Sequence, residues 1–315
     1  MRIAVASGKG GTGKTTVAVS LALAAQGMVH LLECDVEEPN AALFLKVSDP
    51  VESPVCVPIP LIDETRCTAC GECARFCEFN AIVRVGKTVL VFPELCHSCG
   101  GCALVCPEKA IREVASEIGT LTEGRVSRVG CGAAASGSSA PDMGFYQGLL
   151  SIGKAMSPPV IRAVKGRSGA AAERRTADCG NADCGVLEVI DAPPGTSCPM
   201  GTALTGVDYV ILVTEPTPFG LHDLRLAIDT VRAMDIPFGV IINRSDSGDD
   251  RVVEYCSSEG IRILLQIPEE RRIAAGYSRG EPLIVAAPEY RRIFSALAGL
   301  LVHEWKNRTG PGGAQ

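Results

Sequence analysis

The chain has 315 residues, of which 46% are hydrophobic and 4% aromatic, and its formal charge is −6. This length suits about two domains or one large α/β domain with an insertion, and the negative charge argues against a nucleic-acid binder that works by bulk charge. Without a signal peptide or an apolar run of about 18 residues, we expect a cytoplasmic protein with no transmembrane segment.

A phosphate-binding loop is predicted near the N-terminus. An apolar run with strand propensity precedes the glycine-rich residues 7–16, and a helical pattern follows them. The segment fits G-x-x-x-x-G-K-[ST] in the strand–loop–helix context that this motif needs. Its glycines let backbone N–H groups surround phosphate oxygens at a helix N-terminus. We therefore expect Lys14 to reach the β and γ phosphates and the Thr15 hydroxyl to ligate Mg²⁺. The residues predicted to cradle the phosphates are Gly8, Gly10, Gly11, Thr12, Gly13, Lys14, Thr15 and Thr16.

Residues 1–50 have the pattern of a β-α-β unit whose second strand ends just before Asp35. Proline-rich residues 51–62 predict an extended crossing out of this unit. Two later segments, residues 131–142 and 166–185, are small and polar without an apolar period, which is typical of flexible loops.

From residue 186 onward, strands alternate with helices. Strands are predicted at 186–190, 209–213, 238–242 and 261–267, and helices at 221–234, 250–258 and 288–305. This alternation predicts a doubly wound, mostly parallel α/β sheet with both faces covered. We expect residues 1–60 and 115–315 to form this domain, with residues 61–114 inserted as a second one.

The inserted segment contains an internal repeat with the plan C-x-x-C-x-x-C-x-x-x-C. Its two runs are Cys67, Cys70, Cys73 and Cys77, and Cys96, Cys99, Cys102 and Cys106. Clustered cysteines in a cytoplasmic chain favour metal binding over disulfides. Zinc sites and free thiols are alternatives, although zinc sites rarely have this doubled pattern.

The spacing resembles the bacterial two-cluster ferredoxin module, in which the fourth cysteine of each run binds the other cluster. The resemblance implies a small α+β ferredoxin-like domain with two [4Fe–4S] clusters. It places one cluster on Cys67, Cys70, Cys73 and Cys106, and the other on Cys96, Cys99, Cys102 and Cys77. Glu78 stands where a proline usually follows the fourth cysteine, and this departure removes no ligand.

Two acidic residues are candidates to complete an ATPase site. Asp191 follows a buried strand and begins Asp-Ala-Pro-Pro-Gly, which suits Mg²⁺ binding beside the phosphate loop. Gly195 would let that loop respond to the γ-phosphate. Asp35, after the second strand, is expected to face the γ-phosphate and the attacking water.

These motifs resemble those of the ParA/MinD ATPases with a deviant Walker A loop. Lys9 matches that family's additional signature lysine, and Asp35 and Asp191 match its two switch aspartates. Asn243 and Arg244 match its strand-end segment that reads adenine, and Pro268 and Glu269 the segment beside the base. More narrowly, the chain resembles MinD-superfamily ATPases with an inserted ferredoxin domain.

The resemblance implies slow ATP hydrolysis by a dimer, with Lys9 crossing to the partner's phosphates. The dimer could be a homodimer or a heterodimer with a paralogous ATPase, and a small metal-binding or redox protein is an expected partner. ATP-gated electron transfer and an iron–sulfur or metal carrier scaffold are the competing hypotheses. Cys198 and the pair Cys179 and Cys184 are further candidates for metal or redox roles.

Overall fold

The computed structural model describes residues 1–128, 142–179 and 185–309. Within those residues the strands are β1 (Arg2–Ala6), β2 (Met28–Glu33), β3 (Val47–Ile62), β4 (Ile82–Val85), β5 (Thr88–Val91), β6 (Ile111–Val126), β7 (Met143–Leu150), β8 (Val186–Asp191), β9 (Tyr209–Thr214), β10 (Phe238–Asn243) and β11 (Ile263–Ile267). The helices are α1 (Lys14–Ala24), α2 (Glu72–Phe76), α3 (Gly101–Leu104), α4 (Ser157–Cys179), α5 (Cys198–Leu204), α6 (Pro218–Ala233), α7 (Arg251–Ser258), α8 (Arg271–Ser278), α9 (Leu283–Ala286) and α10 (Glu289–Thr309).

The main sheet has nine strands in the order β11-β10-β9-β1-β8-β2-β7-β6-β3. Strands β11 to β7 in this order are parallel to one another, whereas β6 and β3 pair antiparallel. The predicted doubly wound, mostly parallel sheet is therefore confirmed, with an antiparallel pair added at one edge. Because parallel strands end at the same edge, the segments after β1, β2, β8 and β10 meet there.

Each face of the sheet has its own apolar core. One core includes residues of α1, α9 and α10, represented by Leu21, Leu283 and Phe294, all 2% exposed or less. The other includes residues of α4 to α7, such as Ile161 and Leu224. Central strands such as β8 and β9 are buried along their whole length, as helices on both faces require.

Strand β3 lies at the edge of the main sheet, and this corrects the interpretation of residues 51–62 as a crossing. Pro50 lies at a register shift, and the prolines of the regular part, Pro54, Pro58 and Pro60, are all at even positions. Alternate residues of a strand direct their N–H groups to opposite sides, and an edge strand needs donors on one side only. Prolines at every other position are therefore compatible with pairing to β6, and they leave the outer edge short of donors.

Residues 56–62 of β3 and 111–117 of β6 form a two-stranded ribbon. Gly119 of β6 is opposite Leu150, the last residue of β7, so residues 111–117 continue beyond the end of β7. Strand β7 is parallel to β2 and ends at the same edge. The ribbon therefore extends about 20 Å from the edge at which the phosphate loop begins.

The prediction of a flexible loop over residues 166–185 is wrong for its first part, because helix α4 continues to Cys179. The apolar face of α4 lies mainly before residue 166, at Val160, Ile161 and Val164, all fully buried. The segment predicted as a loop began at residue 166, so it did not include this apolar face and showed no apolar period. Residues 180–184, and residues 131–141 of the other predicted loop, lie outside the described residues.

The cysteine repeat has a matching backbone repeat. Ala69 and Ser98 both have positive φ, and so do Gly71 and Gly100, which precede α2 and α3. Strands β4 and β5 form a separate two-stranded sheet between the runs. A small apolar cluster lies between the halves: Cys73, Ile82, Cys102 and Ile111. These features support the proposed insertion, whose domain boundaries stay a prediction.

Candidate functional site

The glycine loop connects β1 to α1 as its sequence predicts. Gly13 caps α1 with φ 92°, a left-handed conformation that favours glycine. A Cβ atom there would lie 2.5 Å from Nδ2 of Asn243. That Nδ2 donates a hydrogen bond to the Thr12 carbonyl at 2.9 Å, so the end of β10 fixes the loop. The adenine-reading role of Asn243 stays a prediction.

A cavity of about 280 Å³ opens beside this loop. Its predicted lining residues are Gly11, Gly13, Lys14, Thr15, Thr16, Asn243, Arg244, Pro268 and Glu269. The sequence did not predict Asn40 or the residues of α8 that complete the wall, Ile273, Ala274 and Tyr277. Asn40 has a buried Oδ1 without a hydrogen-bond partner. These α8 residues belong to no motif, so they can be identified as part of the site only once the fold brings α8 to the same cavity as the end of β10.

Asp191 is fully buried at the end of β8 and both of its carboxylate oxygens lack a well-formed hydrogen bond. Burial raises the pKa of Asp191 to about 6, and the Lys14 ammonium and the Thr15 hydroxyl oppose the shift. An orphaned carboxylate beside a threonine hydroxyl is an arrangement that Mg²⁺ would satisfy, since this cation prefers oxygen ligands. The residues present therefore fit the predicted metal.

Asp35 faces the same group of residues. Burial raises the pKa of Asp35, while Lys14 lowers it. Backbone hydrogen bonds connect these segments: the Cys34 N–H donates to the Asp191 carbonyl at 2.9 Å, and the Gly195 N–H, in the loop after Asp191, donates to the Ser7 carbonyl of the phosphate loop at 3.0 Å. Lys14, Thr15, Asp35 and Asp191 thus surround one end of the phosphate loop.

Glu33 is a candidate site residue that the sequence analysis missed. It is fully buried at the end of β2, opposite Asp191 in the sheet register. Its carboxylate accepts hydrogen bonds from the N–H groups of Asp35, Asn40 and Ala41 at 2.9–3.2 Å. Burial and the nearby Asp191 charge raise the pKa of Glu33. Glu33 therefore shapes the loop that carries Asp35. Its position at the end of a buried strand is the sequence feature that could have identified it as a candidate site residue.

Lys9, Gly8 and Gly10 lie away from the cavity wall. The Lys9 ammonium contacts Glu215 after β9, at 3.4 Å between Nζ and Oε2. Gly8 packs so closely on α6 that a Cβ would lie 2.1 Å from the Asp223 carbonyl oxygen. The structure of one chain thus separates Lys9 from Lys14, and the predicted crossing of Lys9 to a partner remains untested.

Each predicted group of four cysteines surrounds its own cavity. Cys67, Cys70, Cys73 and Cys106 line one cavity, and Cys77, Cys96, Cys99 and Cys102 line another. The fourth cysteine of each run lies with the first three of the other, as the ferredoxin resemblance implies. Phe79 stacks on His97 at the second cavity, with ring centroids 3.7 Å apart.

Across the described residues, no three His, Cys, Asp or Glu side chains are grouped as ligands of one metal ion. A cubane has a different requirement, because each of its four thiolates binds a separate iron around a shared volume. Burial raises the pKa of Cys73, and that of Cys102 to about 11, so both thiols are protonated at neutral pH until a metal displaces the proton. The two groups of four thiols are the ligand sets that the resemblance implies, and the presence of two clusters stays a prediction.

The remaining cysteine candidates have different surroundings. Cys198 is exposed at the start of α5, directly after the Asp191 loop. Cys184 lies outside the described residues, and Cys179 is the last residue of α4. Cys34 and Cys256 are buried in the core.

Hydrogen bonds connect the Asp35 loop to the end of β7 and to α4, and the residue after β7 to β6 at the base of the ribbon. The Leu150 N–H donates to the Val36 carbonyl at 2.8 Å, and the Ser151 N–H to the Ile118 carbonyl of β6 at 2.9 Å. At the start of α4, the Ser157 hydroxyl donates to Glu37 at 2.5 Å. The segment after β2 is therefore attached both to the ribbon base and to α4.

Residues 3–283 match the family described as CobQ/CobB/MinD/ParA nucleotide binding domain. A protein of Methanocaldococcus jannaschii, MJ0579, is 27% identical over 90% of this chain and 91% of its own length. An iron–sulfur cluster carrier protein of Aquifex aeolicus is 31% identical over only 36% of each chain.

Among solved structures, MinD of Pyrococcus horikoshii with Mg-ADP superposes with a TM-score of 0.50 at 18% identity, covering 98% of this chain and 97% of that one. This likeness concerns the fold. Within the described residues, no helix combines the length and apolar character needed to cross a membrane. With the phosphate loop, the sheet order and a family match over most of its length, the chain belongs to the CobQ/CobB/MinD/ParA family of nucleotide-binding domains.

Proposed function

We propose that this protein is a cytoplasmic, Mg²⁺-dependent ATPase that carries two [4Fe–4S] clusters and couples its nucleotide state to them. It works as an ATP-dependent dimer, with itself or with a paralogous ATPase, and acts on a partner such as a small metal-binding or redox protein. One observation carries the proposal: the ribbon that bears both cysteine cavities leaves the sheet at the edge occupied by the phosphate loop.

In the proposed reaction, Lys14 and the loop N–H groups hold the phosphates. Thr15 and Asp191 hold Mg²⁺, which supplies charge neutralisation on the phosphate oxygens when it is bound. Lys14 is only 6% exposed, so little water screens its charge. Asp35 orients the attacking water, and Glu33 keeps the Asp35 loop in place through its accepted N–H bonds.

Lys9 supplies the remaining positive charge from the partner subunit. A lysine in trans makes hydrolysis depend on dimer formation, because the transition-state charge is incompletely neutralised in one chain. The side chain is one third exposed, and among the described residues its ion-pair partner is Glu215, so it is free enough to move.

The test separates nucleotide binding from hydrolysis. Lys14→Ala should abolish ATP binding, measured with a fluorescent ATP analogue. Lys9→Ala should retain binding but lower hydrolysis at least tenfold, the effect of about 1.4 kcal/mol of lost transition-state stabilisation. Unchanged turnover of the Lys9 variant at saturating ATP would contradict the role in trans.

A carrier function is the second candidate, favoured by the partial similarity to the Aquifex aeolicus iron–sulfur cluster carrier protein. It predicts that iron and sulfide move from the loaded protein to an apo-ferredoxin. ATP-gated electron transfer instead predicts that the reduced protein passes electrons to an acceptor only with ATP, while its iron content stays constant. Iron analysis and absorbance of the acceptor distinguish the two outcomes.

A further inference from the structure

Lys165 of α4 is bonded to the C-terminal end of α5. Its Nζ donates hydrogen bonds to the carbonyl oxygens of Thr202, Ala203 and Thr205 at 3.1, 2.7 and 2.6 Å. An ammonium group has three N–H donors, which matches these three acceptors. The last carbonyls of a helix have no partner within it, and a cation at that end is also favoured by the helix dipole. Lys165 therefore fixes the end of α5 to α4.

Helix α5 continues directly from the loop after Asp191. That loop contains Gly195, whose N–H donates to the Ser7 carbonyl of the phosphate loop at 3.0 Å. Helix α5 is only seven residues long, and its inward residues are fully buried. An element this short and closely packed shifts as one unit, so a movement of the loop reaches the bonds to Lys165.

The Lys165 ammonium also lies near the segment that carries Asp35. Burial raises the pKa of the Cys34 thiol, and the Lys165 charge opposes this shift. Cys34 directly precedes Asp35, and its N–H donates to the Asp191 carbonyl at 2.9 Å. Lys165 is therefore close to both segments with proposed site acids, although it lies outside the nucleotide cavity.

Helix α4 holds the ribbon strand β6 as well. The Arg167 guanidinium binds both carboxylate oxygens of Glu123 on β6, at 2.6 to 3.1 Å. A bidentate pair of this kind fixes direction as well as distance. Residues two apart lie on different sides of a helix, so Lys165 and Arg167 connect α4 to two different neighbours. A shift of α4 would therefore reach the strand whose residues 111–117 form the ribbon.

We propose that Lys165 is a positioning residue of the ATPase, and that it transmits the position of the loop after Asp191 through α4 to β6. When that loop moves on ATP binding, α5 carries Lys165 with it, and Arg167 carries Glu123. The inference rests on the proposed function, in which the loop with Gly195 responds to the γ-phosphate. It adds the side chains that join this response to the ribbon.

Two substitutions separate positioning from transmission. Lys165→Met keeps a side chain of similar length but removes the three donors, so hydrolysis should fall about tenfold while the affinity for a fluorescent ATP analogue stays within about twofold of wild type. Lys165→Arg, which keeps the charge and the donors, should recover most of the rate. Arg167→Met leaves α5 attached, so its hydrolysis rate should match wild type. Arg162→Met is the matched control, since Arg162 is an exposed cation about one turn earlier on α4.

Hydrogen exchange of the full-length protein, with and without Mg²⁺ and a non-hydrolysable ATP analogue, measures the transmission. In Lys165→Met, residues 198–204 should still respond to the analogue, whereas the response of residues 111–117 should fall by about half or more. Arg167→Met should lower the response of residues 111–117 to a similar extent. If thermal unfolding shows that Lys165→Met does not fold, Lys165→Gln, which keeps a polar donor without the charge, provides the same comparison.

Different failures can be told apart. A wild-type protein that does not hydrolyse ATP, or whose ribbon exchange the analogue does not alter, overturns the proposed function together with this inference. A wild type with both properties, in which Lys165→Met matches the Arg162→Met control in rate and in exchange, overturns the role of Lys165 alone. An equal loss of hydrolysis in Lys165→Met and Arg167→Met would indicate a general loosening of α4 and would also contradict the positioning role.

Discussion

At the residue scale, the site contains two buried carboxylates, Glu33 and Asp191, that differ in their hydrogen bonding. Asp191 and Glu33 lie opposite each other on adjacent strands, and neither is exposed to water. Glu33 is satisfied by three backbone N–H groups, whereas the Asp191 oxygens have no well-formed partner. Two similar side chains therefore differ: Glu33 arranges a loop, and Asp191 is the residue proposed to bind Mg²⁺.

Mg²⁺ binding should depend on pH through Asp191. Protons compete with Mg²⁺ for the carboxylate, and burial raises its pKa to about 6. Binding is therefore complete above about pH 7 and is lost as the pH falls through 6, so Mg²⁺ affinity should be about tenfold lower at pH 5 than at pH 8. In the metal-free chain the same shift lowers stability as the pH rises, because the unfolded carboxyl ionises more readily.

Calorimetric titration of Mg²⁺ into the ADP complex measures this dependence. The phosphates of ADP titrate in the same range, so Asp191→Asn provides the baseline. The variant should bind Mg²⁺ weakly and should lose the part of the pH dependence that belongs to Asp191. Equal pH profiles for the two proteins would contradict the assignment of Asp191 as a metal ligand.

The cysteine cavities predict which substitutions are equivalent. Cys77 belongs by sequence to the first run but lines the cavity of Cys96, Cys99 and Cys102. Cys77→Ala and Cys99→Ala should therefore remove the same signal from the electron paramagnetic resonance spectrum of the reduced protein, and Cys106→Ala should remove the other. If Cys77→Ala and Cys70→Ala abolish one signal together, the crossover is wrong.

At the element scale, the ribbon base carries the proposed coupling. The Asp35 loop is bonded to the end of β7, which is bonded to β6, and Glu37 of that loop accepts from Ser157 of α4. Ser157→Ala removes one of these connections without touching the nucleotide cavity or the cysteines. It should reduce the effect of ATP on hydrogen exchange in residues 63–113 by about half or more, while ATP affinity stays the same.

Hydrogen exchange of wild type with and without the ATP analogue sets the reference for that variant. Thr202→Ala is a suitable control, since the Thr202 hydroxyl bonds only within α5. A wild-type exchange profile that ATP does not alter would mean that the two parts of the chain are merely neighbours.

The sequence was most informative where local chemistry decides the structure. Residues 186–267 alternate between buried strands and helices, and every predicted strand and helix of that region is present. It was least informative for β3, because prolines oppose a strand unless the strand is at an edge, and edge position is decided by partners far along the chain. Helix α4 was missed in part because its buried face precedes the polar residues that were read as a loop.

The same distinction holds for the site. A motif identifies Lys14 and Thr15, since a phosphate loop needs them at fixed spacing. Glu33 and Glu215 have no motif, and their contacts depend on which strands become neighbours. Local spacing therefore predicts the groups that would bind a ligand, and tertiary structure adds those that position them.

At the scale of the whole molecule, one sheet edge carries the phosphate loop and the ribbon. The phosphate loop follows β1, and the ribbon lies on the far side of β7 in the strand order. A partner subunit that covered the phosphate loop would therefore have the cysteine unit beside it. If the proposed ATP-dependent association takes place, it would change the surroundings of the cysteine cavities.

The ribbon also implies an order of assembly. Its strands flank the whole cysteine unit, from Ile62 to Ile111, so pairing them closes a long loop and costs conformational entropy before any contact forms. Each cubane would take ligands from both halves of that loop, as Cys106 with Cys67, and would hold its ends together much as a disulfide does.

Insertion of the proposed clusters should therefore stabilise the edge strands β3 and β6 of the main sheet. Protein made without iron should be cut by a protease within residues 47–126 at least several times faster than loaded protein, while β1 and β8 to β11 remain protected. Equal cleavage of both forms would contradict this view. An iron-starved cell would then lose this protein by degradation that begins at its unpaired sheet edge.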